Sequence, residues 1–161
     1  VDIVSNALAA SGLPTERLEI EITESALLQD DQLTQEHLEA LRNLGVHITM
    51  DDFGTGYSSL SYLMSYPIQT LKIDRSFVHG LGQQASSTAI VKTITTLAAS
   101  LGLSTIAEGV ETEDQLRLLL ELGCTEAQGF LFSRPKPAAD ILPTRNAVPG
   151  AQRQPLLKAT G

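Results

Sequence analysis

The sequence predicts an α/β fold in which about five parallel strands are joined by helical crossovers. Two observations carry that expectation. The phrases "ALRNLGVHITMDDFG", "LAASLGLSTIAEG" and "LLLELGCTEAQG" share one grammar: a leucine-rich helix ending in Leu-Gly, a short run of strand character, a polar side chain, then glycine. Gly45, Gly102 and Gly123 stand where a helix C-terminus calls for a left-handed residue. Read from helix to strand this is a βα repeat, and strands connected in that way run parallel.

The elements follow in order. "VDIVSNALAASGL" reads as the latter part of a helix with Ile3, Val4, Ala7 and Leu8 on one face. Because it opens on Val1 in mid-pattern, the start of the domain is expected to be missing. "LEIEITE", Leu18 to Glu24, alternates apolar and acidic residues as a half-buried strand does. Leu33, Leu38, Leu41 and Leu44 form one helical stripe, and Ile90, Val91, Ile94, Leu97, Ala98 and Leu101 form another. "QTLKIDRSF", Gln69 to Phe77, reads as a strand following Pro67. "TEDQLRLLLELG" opens with Thr112 and Gln115 at capping-box spacing. "PTRNAVPGAQRQPLLKATG" has three prolines and no period. Residues 1–142 are therefore expected to form the domain, and 143–161 a flexible tail.

Composition narrows the classes. The chain has 161 residues, 42% apolar and 19% charged, enough for one ordinary core. With 4% aromatics and no Trp, that core must be built from Leu, Ile, Val and Ala. No apolar stretch approaches a bilayer span. The single Cys124 excludes an internal disulfide and fits a reducing, cytoplasmic location. A net charge of -8 argues against binding a nucleic-acid polymer, though not against a small phosphate-bearing ligand held with metal ions.

The polar residues at the carboxyl ends of the five strands are Glu21 and Glu24, Asp51 and Asp52, Lys72 and Asp74, Glu108 with Glu111, and Gln128. In a parallel α/β barrel these ends share one face, where the active site is assembled. Convergent carboxylates require cations, and oxygen ligands favour magnesium, manganese or calcium. Asp51 and Asp52 are neighbours, so on a regular strand they would point to opposite faces. The chain is expected to leave strand geometry there, with Gly54 and Gly56 permitting positive φ and close backbone approach. One carboxylate could then bridge two metals roughly 3.5–4 Å apart, an arrangement suited to phosphate-ester hydrolysis.

Each residue also has a plainer reading. Glu21 could be an exposed strand residue, Asp51 and Asp52 turn formers, and Lys72 a surface partner of Asp74. Glu108 could cap the helix near Thr112, and Gln128 could be a satisfied core amide. The five-part constellation favours function. His37, His47 and His79 lack metal-ligand spacing, and Cys124 reads as a small core residue.

"EITES", "DDFGTGYSSLSYL", "LKIDRSFV", "IAEGVET" and "QGFLFSRP", in order and from the first residues to about Pro137, closely resemble the EAL-domain family. These are bacterial phosphodiesterases that hydrolyse cyclic di-GMP to linear pGpG on a modified TIM-like barrel. The resemblance implies that Glu21, Asp51 and Asp52 are metal ligands, with Asp51 the bridge. It implies that Lys72 holds and helps activate the attacking water, that Glu108 lies near the second metal and its water, and that Gln128 orients water or substrate. Glu24 resembles the glutamate that braces the "DDFGTG" loop; Asp74 and Glu111 match the pattern with lesser substrate or supporting roles.

The family's name-giving Glu-Ala-Leu of an early strand is absent from these residues, as is the asparagine of the next strand. A typical barrel needs about 250 residues. The resemblance therefore implies the carboxy-terminal two-thirds of an incomplete (β/α) barrel, with two divalent cations of which the first is incompletely held. Such a piece is expected to be poorly active and to dimerise or share strands. Two other readings are a non-catalytic cyclic di-GMP-binding or dimerisation module and a metal-assisted lyase of the enolase type.

Overall fold

The computed structural model describes residues 1–27, 32–56, 60–137 and 140. The boundary expected at 142 and the tail 143–161 lie outside the described residues.

Five strands form one sheet in the order β1-β2-β3-β4-β5, every neighbouring pair parallel: Glu19–Thr23, His47–Phe53, Thr70–Ile73, Ser104–Ala107 and Glu126–Ala127. The helices are α1 (Asp2–Ser11), α2 (Glu24–Leu27), α3 (Gln32–Asn43), α4 (Leu60–Ser65), α5 (Arg75–His79), α6 (Ala85–Leu101) and α7 (Glu113–Glu121). Strand order equal to chain order, with a helix in each connection, is the topology the repeat predicted. Gly45, Gly102 and Gly123 take φ of 94°, 71° and 84° at the ends of α3, α6 and α7, so each helix stops where the next strand must begin. Thr112 and Gln115 complete both halves of the capping box on α7.

The sheet separates its faces by alternation. Ile48 and Met50 of β2, Leu71 and Ile73 of β3, and Ala107 of β4 are buried in the apolar core with Val91, Ile94 and Ala98 of α6 and Leu119 of α7. The alternate residues on the other face are polar except for Ile106, and three of them, Thr49, Thr70 and Lys72, are also buried. They are satisfied there: Thr49 donates to Glu19 Oε1 at 2.6 Å, and His47 Nε2 pairs with Thr70 Oγ1 at 2.8 Å. His47 is thus a strand residue, and Cys124 a buried core thiol pushed above its ordinary pKa by burial.

Several expectations change in extent. Ile3 is 85% exposed because it lies about 140° round α1 from Leu8, the buried residue of that helix. Leu33 and Leu44 are likewise exposed; α3 buries Leu38 and Leu41, and Leu44 falls beyond its end at Asn43. Ile90 and Leu101 flank the buried stripe of α6 rather than joining it. β3 stops at Ile73 instead of running to Phe77, because the Asp74 carboxylate accepts from the Ser76 amide and starts α5. β5 is two residues long because side chains replace its first rungs. The Thr105 amide donates to Thr125 Oγ1 at 2.7 Å, and the Thr125 amide to Thr105 Oγ1 at 3.0 Å.

Candidate active site

Lys72, on β3, organises the strand ends. Its side chain is 6% exposed, and Nζ lies 2.9 Å from Glu21 Oε2, 3.0 Å from Asp51 Oδ1 and 2.7 Å from Glu108 Oε1. Burial alone would push the ammonium toward neutrality, but the hydrogen bonds to Glu108, Glu21 and Asp51 outweigh it and hold its pKa above the ordinary lysine range. At neutral pH it is a cation with all three protons committed. The pairing with Asp74 that a surface lysine would make does not occur; Asp74 caps α5 instead.

The adjacent aspartates are accommodated by a bulge. The pairing of β2 with β3 shifts register between Met50 and Phe53, and Asp52 takes φ 55°, alone among the described non-glycine residues in having a positive φ. The departure expected from "DDFGTG" therefore falls on the second aspartate itself, and Gly54 follows at φ 94°. Gly56 contributes close approach: a Cβ there would stand 3.0 Å from Glu24 Oε1. Glu24 is buried beneath this loop, and its Oε2 accepts from the Gly54 amide at 3.3 Å. Its Oε1 has no hydrogen-bond partner among the described residues.

Glu108 follows β4, and its amide donates to the Ile73 carbonyl at 3.1 Å. Besides Lys72, its Oε1 accepts from Gln128 Nε2 at 2.8 Å. Gln128 is fixed by its backbone, which donates to the Ala107 carbonyl at 2.8 Å and accepts from the Val110 amide at 3.0 Å. The next residue, Gly129, lies so close to Val110 that a Cβ would fall 2.2 Å from its carbonyl oxygen. Sequence reading missed this position, although "QG" was in view.

Ligand atoms of Asp51, Asp52 and Glu108 lie within 4.8 Å of one another. All are hard oxygen donors, so the set fits Mg2+, Mn2+ or Ca2+. Asp51 spends Oδ1 on Lys72 and on the Asp52 amide at 3.1 Å, and Glu108 spends Oε1 on Lys72 and Gln128. The second oxygen of each is left for a cation. Glu21 belongs to the Lys72 cluster but not to this trio. Glu111 is exposed at the rim of a cavity of about 580 Å³ that Glu108 and Gln128 share with Arg75, Phe130 and Arg134. The Arg134 guanidinium lies 4.7 Å from the Phe130 ring centre. These three lining residues also went unread; the signal was a pair of arginines in a chain that is otherwise acidic.

The EAL domain family model matches residues 1–135. The chain belongs to the EAL domain family. It is 47% identical over 142 residues to the bifunctional diguanylate cyclase/cyclic di-GMP phosphodiesterase MucR of Pseudomonas aeruginosa, covering 88% of this chain and 21% of that protein. The structure of the MucR phosphodiesterase in complex with c-di-GMP superposes with a TM-score of 0.82, over 86% of this chain and 56% of that one. The EAL domain of Mycobacterium smegmatis DcpA gives a TM-score of 0.80 at 47% identity, over 85% of this chain and 61% of that one. Klebsiella pneumoniae BlrP1, solved with c-di-GMP and manganese or calcium, is 35% identical with a TM-score of 0.77, over 83% of this chain and 34% of that one. The chain spans 17–22% of the length of the curated relatives it matches. Its five strands are part of an EAL barrel of the TIM-like kind. The sequence does contain a Glu-Ala-Leu, Glu39 to Leu41, but it lies within α3, where Glu39 bonds Gln35 and Leu41 is core.

Proposed function

We propose that the EAL domain to which this chain belongs hydrolyses cyclic di-GMP to linear pGpG with divalent cations held in part by Asp51, Asp52 and Glu108. The observation that carries the reading is the meeting of carboxylates from β1, β2 and the end of β4 around one buried lysine. The Mn and Ca complexes of BlrP1 support the choice of a hard divalent ion. When bound, the cations supply an acidified water and neutralise charge accumulating on the phosphate.

The roles of the chain's own residues follow from their hydrogen bonds. The Lys72 ammonium holds Asp51 and Glu108 in place and lends positive potential to the phosphoryl oxygens. Glu108 Oε2, not engaged by Lys72 or Gln128, would hold the cation beside the attacking water and so assist its deprotonation, the acidified proton passing to solvent. Water oxygen bonds to phosphorus, the bond to the ribose oxygen breaks, and that oxygen is protonated from solvent. Gln128 fixes the rotamer of Glu108, and Glu24 holds the loop after the bulge through the Gly54 amide. Glu21 is a ligand toward the first ion and a partner of Lys72; Asp74 and Glu111 act from the periphery. The proposal includes a cytoplasmic site of action and a homodimer. The enolase-type reading gains no support from the relatives.

The test is release of pGpG from cyclic di-GMP with Mn2+, followed by anion-exchange chromatography, using a polypeptide that carries the complete barrel. Turnover with stoichiometric pGpG is expected. Saturable binding without turnover would favour the non-catalytic module.

A further inference from the structure

We propose that Lys72 is a built-in counter-ion: in the cation-free protein its ammonium does the work of a bound metal, holding Glu21, Asp51 and Glu108 together. This rests on the cation part of the proposed function. It concerns a different state of the molecule, the one that exists before any ion arrives.

The geometry leads there by elimination. Glu21, Asp51 and Glu108 come from three different elements, and their carboxylates would repel across a small space without a cation between them. Among the described residues, Lys72 Nζ is the cationic group within ion-pair distance of any of them. It is 95% buried, and each of its three protons faces a different carboxylate, so the ammonium is used to capacity. A lysine whose purpose began only with a bound water would not need all of its donors filled by protein. The engaged oxygens also matter. Lys72 takes one oxygen each from Asp51 and Glu108 and is paired with neither second oxygen, and both carboxylates also belong to the trio with Asp52. A carboxylate has two oxygens, so the same two residues could serve lysine and metal ion at once. Glu21, Asp51, Asp52 and Glu108 carry four negative charges against one positive, so the cluster keeps a net attraction for a divalent ion even with Lys72 in place.

The consequence is an asymmetry that packing alone would not produce. Removing the ammonium while keeping its aliphatic bulk should cost stability chiefly when no metal is present, because the ion restores the missing charge. Thermal melting of the intact protein in chelator and in saturating Mn2+ reads this directly, without turnover. Lys72→Met is expected to lower Tm by roughly 6–12 °C in chelator, and Mn2+ is expected to recover most of that loss. Lys72→Arg, which keeps the charge, should melt close to the parent in chelator. Adding Glu21→Gln to Lys72→Met removes one repelling charge outside the acidic trio, and should recover part of the loss without metal.

An equal loss in chelator and in Mn2+ would overturn the proposal, as would a Lys72→Met protein that melts like the parent in chelator. If Lys72→Met folds under neither condition, failure of Glu21→Gln to restore folding would overturn it too. Absence of any Mn2+ stabilisation of the parent protein is a distinct result: it would strike the cation assignment itself, before Lys72 is tested.

Discussion

Asp52 shows how one backbone conformation settles a question of chemistry. Two neighbouring aspartates reach a common space because the second sits at φ 55° on a bulge, not because the strand is regular. A non-glycine residue there carries strain of order 1 kcal/mol, and Asp tolerates it better than most side chains. The adjacency and the glycines were legible in "DDFGTG"; the residue that bends was not, since sequence alone offers glycine as the permissive choice. Lys72 was legible as inward-facing from its flanking Leu71 and Ile73. That all three of its protons are satisfied needed the register of four strands.

Asp74 belongs to the same scale. Burial raises its pKa somewhat, but hydrogen bonds from the Ser76 side chain and amide and the Arg75 amide, with the charge of Arg75, outweigh this and hold it below the ordinary value. A depressed carboxyl stabilises the fold above its unfolded pKa, and that contribution disappears as pH falls through the lower folded value. Asp74→Ala should therefore cost about 1 kcal/mol at neutral pH. In urea melts, the difference from the parent should shrink once pH drops below 3.8. A pH-independent difference would mean that the cap is not acting through its charge.

At the scale of elements, the ends of helices were the most readable feature. Gly45, Gly102 and Gly123 are left-handed terminators and Thr112 opens α7, because local sequence decides caps without reference to the rest of the chain. Stripe edges were misjudged at Leu33, Ile90 and Leu101, since exposure there depends on which neighbours the helix meets. The crossing of 107–110 with 128–131 was invisible for the same reason. Gly129 lies against the Val110 backbone, and this contact sets where Gln128 meets Glu108. Gly129→Ala should destabilise by roughly 1–3 kcal/mol and, in a complete barrel, lower turnover by about 100-fold through displacement of Gln128. Turnover unchanged in a stably folded Gly129→Ala protein would remove Gln128 from the machinery.

At the scale of the molecule, the sheet is an arc. β1 and β5 each have a partner on one side among the described residues, and the concave face between them is lined by His47, Thr49, Thr70 and Lys72. Open parallel edges recruit other strands. Light scattering on this 161-residue chain should find a dimer or larger species, and a monodisperse monomer with a cooperative melt would contradict that expectation. The central claim is that groups distant in sequence gather to hold a divalent ion. Calorimetric titration of Mn2+ into the intact protein and into Asp51→Asn tests it most directly. Saturable binding weakened at least about 10-fold by the substitution is predicted; equal affinity in the two proteins would contradict the account.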